Sequence, residues 1–169
     1  EPYRRQRQMC IRAGLRLYED ELLPLYKLYS VEKTLSEALS RKVWLKCGGY
    51  IIIEQTEALT SIDVNSGKCI SKKSGEAAKE DTVYKVNSEA ADEIARQIKL
   101  RNLSGIIIID FINMKSEDNT QKLMSGLRHL FKNDKVTTTL IDITKLGLVE
   151  VTRKREGVTL LQALKDTSF

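Results

Sequence analysis

The chain has 169 residues, 41% of them hydrophobic and 30% charged, and its 28 lysines and arginines exceed its 23 aspartates and glutamates to give a net charge of +5. That balance belongs to a folded domain rather than a disordered segment, and the length provides one ordinary core with at most an attached piece. The longest unbroken apolar runs, residues 50–53 and 106–109, hold four residues, where a membrane helix needs roughly twenty; no membrane span is expected, and the first residues lack a signal-peptide pattern.

Cys10, Cys47 and Cys69 form no CxxC pair, and His129 is the only histidine. Neither a disulfide framework nor a zinc site can be built from the usual spacings. His129 lies between Arg128 and Leu130 in a helical pattern and reads as a solvated or lightly buried side chain. The chemistry is therefore expected to fall to carboxylates.

Residues 1–41 mix basic and apolar residues in a helical pattern interrupted by Pro24. Residues 25–29 read as a short strand and residues 31–39 as a helix, with Leu35 and Leu39 at i,i+4 spacing. Residues 43–46 and 50–55 read as strands joined at Gly48-Gly49, and residues 58–64 as a third strand. A polar loop is expected over residues 65–81. Ala91, Ile94, Ala95 and Ile98 form one apolar helix face, with Asn87 as N-cap and Glu89, Asp92 and Glu93 in the first turns. Residues 106–109 read as a buried strand and residues 118–132 as a helix. Strands follow over residues 136–143 and 148–152, and an amphipathic segment over residues 158–164. Alternating strands and helices predict an α/β chain with a layered mixed sheet.

Two acids stand out by position. Period-two alternation places Asp63 and Asn65 on one face of their strand, and Asp110 ends the apolar run of residues 106–109. Buried charge is costly unless it is paired or bound to metal, and the C-terminal ends of strands in such sheets commonly hold ligands. Two carboxylates there, without a neighbouring His or Cys, point to a hard cation such as magnesium. Asp at a strand end also serves as a turn former or cap, and Asn65-Ser66-Gly67 is itself a turn signal. The basic segments 96–101 and 153–155 suit either phosphates or a solvated face. Tyr and Phe are not interleaved with basic residues in a way that signals base stacking.

At these residues the sequence resembles the ribonuclease E/G family. The likeness is carried by residues 48–67 (GGYIIIEQTEALTSIDVNSG), 87–97 (NSEAADEIARQ), 107–114 (IIIDFINM) and 146–155 (LGLVEVTRKR). The resemblance implies a deoxyribonuclease I-like catalytic subdomain over residues 42–155, preceded at 1–41 by the C-terminal part of a ribonuclease H-like subdomain. Residues 156–169 would be a tail leading towards a zinc-link. It implies an endoribonuclease that cuts single-stranded, A/U-rich RNA to leave 5′-phosphate and 3′-hydroxyl ends, with Asp63 and Asp110 as magnesium ligands and Asn65 orienting the nucleophile or phosphate. Manganese is a possible substitute for magnesium. Lys68, Arg153 and Lys154 are candidates for RNA-backbone contacts. The family further implies a cytoplasmic homo-oligomer acting in rRNA processing and mRNA decay, with degradosome-type partners.

The sequence departs from the family at several points. The family's zinc-binding CxxC, S1 domain and 5′-end sensor are not in these 169 residues, so the chain reads as a segment of a larger enzyme. Cys47, Asn113 and Thr137 stand where many members have Ser, Asp and Arg, and the last puts 5′-monophosphate sensing in question. An RNA-backbone-binding fragment without cutting activity is the alternative, and a structural or assembly piece a third.

Overall fold

The computed structural model describes residues 17–69 and 75–166, so the first part of the expected 1–41 segment lies outside the described residues. The chain divides into two compact units that meet in sequence at Ser36 and Glu37. In the first unit, residues 25–29 are not a strand: Leu25–Leu28 is one helical turn, α1. Pro24 precedes it, and the Pro24 carbonyl accepts from the amides of Lys27 and Leu28 at 2.9 and 3.1 Å. Proline suits a helix start because its missing N–H would be unpaired there in any case. Helix α2, Val31–Leu39, forms where the leucine spacing predicts it.

The second unit is a mixed α/β layer. Its strands are β1 (Lys42–Trp44), β2 (Tyr50–Gln55), β3 (Leu59–Asn65), β4 (Gly105–Asp110), β5 (Thr138–Ile143) and β6 (Val149–Arg153). They form one sheet in the order β1-β2-β3-β4-β6-β5. The β3–β4 pair is parallel and the others antiparallel; a parallel pair needs a crossover connection. That crossover contains α3 (Glu76–Arg101); α4 (Glu117–Lys132) follows β4, and α5 (Leu160–Asp166) follows β6.

Alternation separates the two faces of the sheet. Ile51, Ile53, Ile62, Val64, Ile107, Ile109, Val149 and Val151 join Val86, Ala90, Ile94 and Leu127 of α3 and α4 in one core. The apolar run in β4 is accordingly not buried throughout, since Ile106 is 50% exposed on the other face while Ile107 and Ile109 are sealed. His129 is exposed on α4.

Helix α3 begins eleven residues before Asn87, within the segment expected as loop. Residues 76–80 are EAAKE, strong helix formers whose polarity gives no apolar stripe to read. Asn87 is therefore mid-helix and fully buried. Its Nδ2 donates to the Ile112 carbonyl at 2.7 Å, and its Oδ1 accepts from the Ile112 amide at 3.1 Å. Glu89, also mid-helix, accepts from the amides of Lys46 and Cys47. One helix thus holds the β1–β2 turn and the segment just beyond β4. It ends at Asn102, in the left-handed region with φ 51° and ψ 45°, a conformation asparagine tolerates.

Candidate active site

The site is built at one end of the parallel β3–β4 pair. Register places Asp63 opposite Asp110, with Ile62 opposite Ile109, so the two acids leave the same face on neighbouring strands about 4.8 Å apart. Both are exposed on the face opposite the helices. Asn65 shares that face, and its Nδ2 donates to Asp63 Oδ2 at 2.6 Å, fixing the carboxylate's orientation. The structure therefore brings Asp63, Asn65 and Asp110 together.

The turn after Asn65 is held tightly. Lys68 N–H donates to the Gly48 carbonyl at 3.1 Å. Gly67, at φ +54°, lies so near that carbonyl that a Cβ would stand 2.5 Å from it. Gly49 approaches the Asn65 carbonyl, where a Cβ would stand at 2.8 Å. Glycine is required at both places by close backbone approach. On the other side of the pair, Asp110 is the last residue of β4, and the paired bonds between Asn87 and Ile112 pin the chain two residues later. Glu80 of α3 accepts the amides of Lys115 and Ser116 at 3.1 and 3.0 Å; those bonds hold its carboxyl below the usual range. The segment from Asp110 to the start of α4 is thus anchored at both ends.

The RNA-contact candidates divide. Lys68 is exposed on the turn that follows Asn65, at the site end of the sheet. Arg153 pairs with Gly105 at the opposite end of β4, five residues from Asp110 and so roughly 17 Å away. It is 5% exposed, and its guanidinium is committed. Nε donates to Asp134 Oδ2 at 2.8 Å, and Nη1 to Asn102 Oδ1 at 2.8 Å and the Leu103 carbonyl at 3.0 Å. Arg153 is a structural tie rather than a phosphate ligand. Lys154, beside it and equally remote from the acids, pairs with Glu156 at 2.9 Å.

One group at the site end escapes a reading along the chain. Lys42 Nζ lies 4.0 Å from the Trp44 ring centroid and 3.7 Å from that of Tyr50, and the two rings meet edge to face at 5.4 Å. The expectation that aromatic and basic residues are not interleaved is corrected here, because the interleaving runs across a hairpin. Its signal was available: Lys42 and Trp44 are two apart, and a Gly-Gly turn brings Tyr50 opposite Trp44.

The donor set is chemically uniform. The two carboxylates offer oxygen donors suited to a hard cation, with the Asn65 amide bonded to one of them, and the sulfur or imidazole of zinc sites is not among them. Among the described residues no group of three or more His, Cys, Asp or Glu side chains is placed to hold a metal. A pair fits magnesium, which typically takes one or two carboxylates and completes its shell with water and substrate phosphate.

Ribonuclease G of Salmonella typhimurium (strain SL1344) is 48% identical to the chain over 132 residues, 78% of this chain and 26% of that protein. Ribonuclease G of Escherichia coli (strain K12) is 47% identical over the same 132-residue span length, again 78% and 26%. Ribonuclease E of Synechocystis sp. (strain ATCC 27184 / PCC 6803 / Kazusa) is 47% identical over 142 residues, 84% of this chain and 20% of that protein. The chain thus spans about a quarter or less of the length of these relatives. The family description "Ribonuclease E/G family" matches residues 3–156, and the chain belongs to that family.

Proposed function

We propose that this chain carries the cutting site of a magnesium-dependent endoribonuclease that hydrolyses phosphodiester bonds in single-stranded, A/U-rich RNA and leaves 5′-phosphate and 3′-hydroxyl ends. The observation that carries this reading is the register of Asp63 with Asp110 on parallel neighbouring strands, with Asn65 bonded to Asp63 on the same open face. Family membership adds that relatives 47–48% identical to this chain over the matched residues are named ribonucleases G and E. Asp63 and Asp110 would hold the ion, with manganese as a substitute. The chemistry a bound magnesium supplies is stabilisation of charge on a phosphoryl oxygen and a lowered pKa for the attacking water.

The chain's own residues do the positioning. Asn65 keeps the Asp63 carboxylate turned in one direction, and the Asn87 clamp holds the chain that follows Asp110. Lys68 stands where an RNA phosphate would meet a cation without any base being read. An open sheet face admits a flexible single strand, which suits processing and decay of RNA in the cytoplasm by a larger, oligomeric protein.

The test uses fluorescent single-stranded A/U-rich RNA with magnesium, with EDTA, and with the Asp63→Asn/Asp110→Asn double variant. Cutting is expected with magnesium and the unaltered chain alone. Cutting that persists in EDTA or in the double variant overturns the two-aspartate site. Salt-sensitive binding without any cutting favours an RNA-backbone-binding role instead.

A further inference from the structure

Trp44 is the only tryptophan in the chain, and it is 60% exposed on the open face of the sheet. The strand registers connect it to the acids. Lys42 pairs with Ile52, Ile52 with Asp63, and Asp63 with Asp110; beside that row, Trp44 pairs with Tyr50 and Tyr50 with Asn65. Tyr50 is the diagonal neighbour of Asp63, about 7–8 Å away. Trp44 lies one strand further, roughly 12 Å away by two interstrand spacings and a two-residue offset. Two aromatic rings and an ammonium therefore flank the carboxylate pair at the distance of a neighbouring nucleotide.

Each part of this group has a partner in a single strand. Unpaired bases offer faces that a duplex keeps stacked, and each base stacked on an aromatic side chain contributes about 1–3 kcal/mol. The Lys42 ammonium, within cation–π range of both rings, holds the rings in place and adds positive charge for the backbone. A large aromatic left in water forgoes its burial free energy, which a stacked base would restore. We propose that Trp44 and Tyr50, with Lys42, form a stacking platform for one unpaired nucleobase of the RNA next to the phosphodiester at Asp63 and Asp110. The proposal rests on reading that pair as the phosphodiester site. It names Trp44 and Tyr50 as binding residues that set the preference for unpaired RNA.

Because Trp44 is the sole tryptophan, its fluorescence reports on the platform directly. The protein is titrated in EDTA with an oligoadenylate and with an abasic phosphoribose strand of equal length and charge. Oligoadenylate is expected to quench the emission saturably, and the abasic strand to leave it unchanged. By fluorescence polarisation of labelled strands, Trp44→Ala is expected to weaken oligoadenylate binding roughly 5- to 150-fold, with little change for the abasic strand. Tyr50→Phe, which keeps the ring, retains the affinity. Equal quenching by both strands, or unchanged oligoadenylate affinity in Trp44→Ala, overturns the platform alone and leaves the phosphodiester site standing. Failure of the unaltered protein to bind either strand in EDTA also overturns the platform, and the phosphodiester site is judged separately by cutting of the same RNA with magnesium.

Discussion

Replacing Asp134 by alanine should destabilise the protein far more than loss of a surface ion pair would. The Asp134 and Arg153 side chains are 5% and 4% exposed and meet at 2.8 Å. Asp134 also accepts from the Val136 amide at 3.1 Å and from Thr138 Oγ1 at 2.8 Å. Removing one member strands a buried guanidinium, which typically costs about 3–5 kcal/mol, against roughly 0–1 for an exposed pair. In a chain of this size each kcal/mol lowers the melting temperature by about 2–4 °C, so a fall of roughly 6–20 °C is expected, read by circular dichroism with a urea titration for the free energy. Burial pushes the Asp134 carboxyl up, but the bonds from Arg153, Val136 and Thr138 outweigh it and hold the carboxyl below its ordinary value. That contribution is present above the unfolded carboxyl pKa of about 3.9 and is lost as pH falls towards the lower folded value, because the unfolded chain takes up the proton first. The Asp134→Leu/Arg153→Met pair, which removes both charges, should recover most of the loss. Its RNA affinity should keep the salt dependence of the unaltered chain, whereas deleting a true phosphate contact lowers the slope by about one. A loss under about 1 kcal/mol for Asp134→Ala, or a lowered slope in the double variant, would refute the structural role assigned to Arg153.

Asn65→Ala removes the donor that orients Asp63 and, on the proposed role of Asp63 as a magnesium ligand, should lower RNA cutting about 10- to 100-fold, with the melting temperature nearly unchanged. Asn87→Ala leaves the Ile112 amide and carbonyl without their partner, and should cost about 1–3 kcal/mol in denaturation. Burial pushes the Cys47 thiol up to about 11, so it should react slowly with iodoacetamide at neutral pH and faster only as pH rises towards that value. Rapid alkylation at pH 7, followed by mass spectrometry, would contradict the placement of this thiol.

Much of the sheet was legible because alternation and β-branched runs are local. Strand β2 falls where its pattern predicts, and Asp63 with Asn65 on one face follows from period two alone. Pairing is not local. That β4 lies parallel to β3 in the register that sets Asp110 opposite Asp63 depends on how α3 crosses over. The start of α3 was hidden because EAAKE has propensity without an apolar stripe. The burial of Arg153 is not legible in the sequence, because an arginine in a basic run looks the same whether solvated or buried against an aspartate. The Lys42–Trp44–Tyr50 group is legible only when the register of the Gly-Gly hairpin is added to the spacing along the chain. Residues 25–29 suggest a strand yet form a helical turn, because four residues leave too short a pattern to separate helix from strand.

The two faces of the sheet divide the labour of the site. Asp63 and Asp110 stand on the exposed face, where water spares them the cost of burying like charges side by side. Exposure alone would leave them poorly directed, and the chemistry proposed for them on a phosphodiester depends on geometry. The direction comes from the covered face. Asn87, sealed within α3, fixes the chain after Asp110, and Glu89 of the same helix holds the β1–β2 turn. The Gly48 carbonyl of that turn in turn receives Lys68, just past Asn65. A single helix thus restrains the backbone on both sides of the carboxylate pair while contributing no side chain to it. Loosening α3 at Asn87 should accordingly impair cutting even though Asn87 touches neither acid, whereas changing the two exposed acids to amides should leave the fold intact.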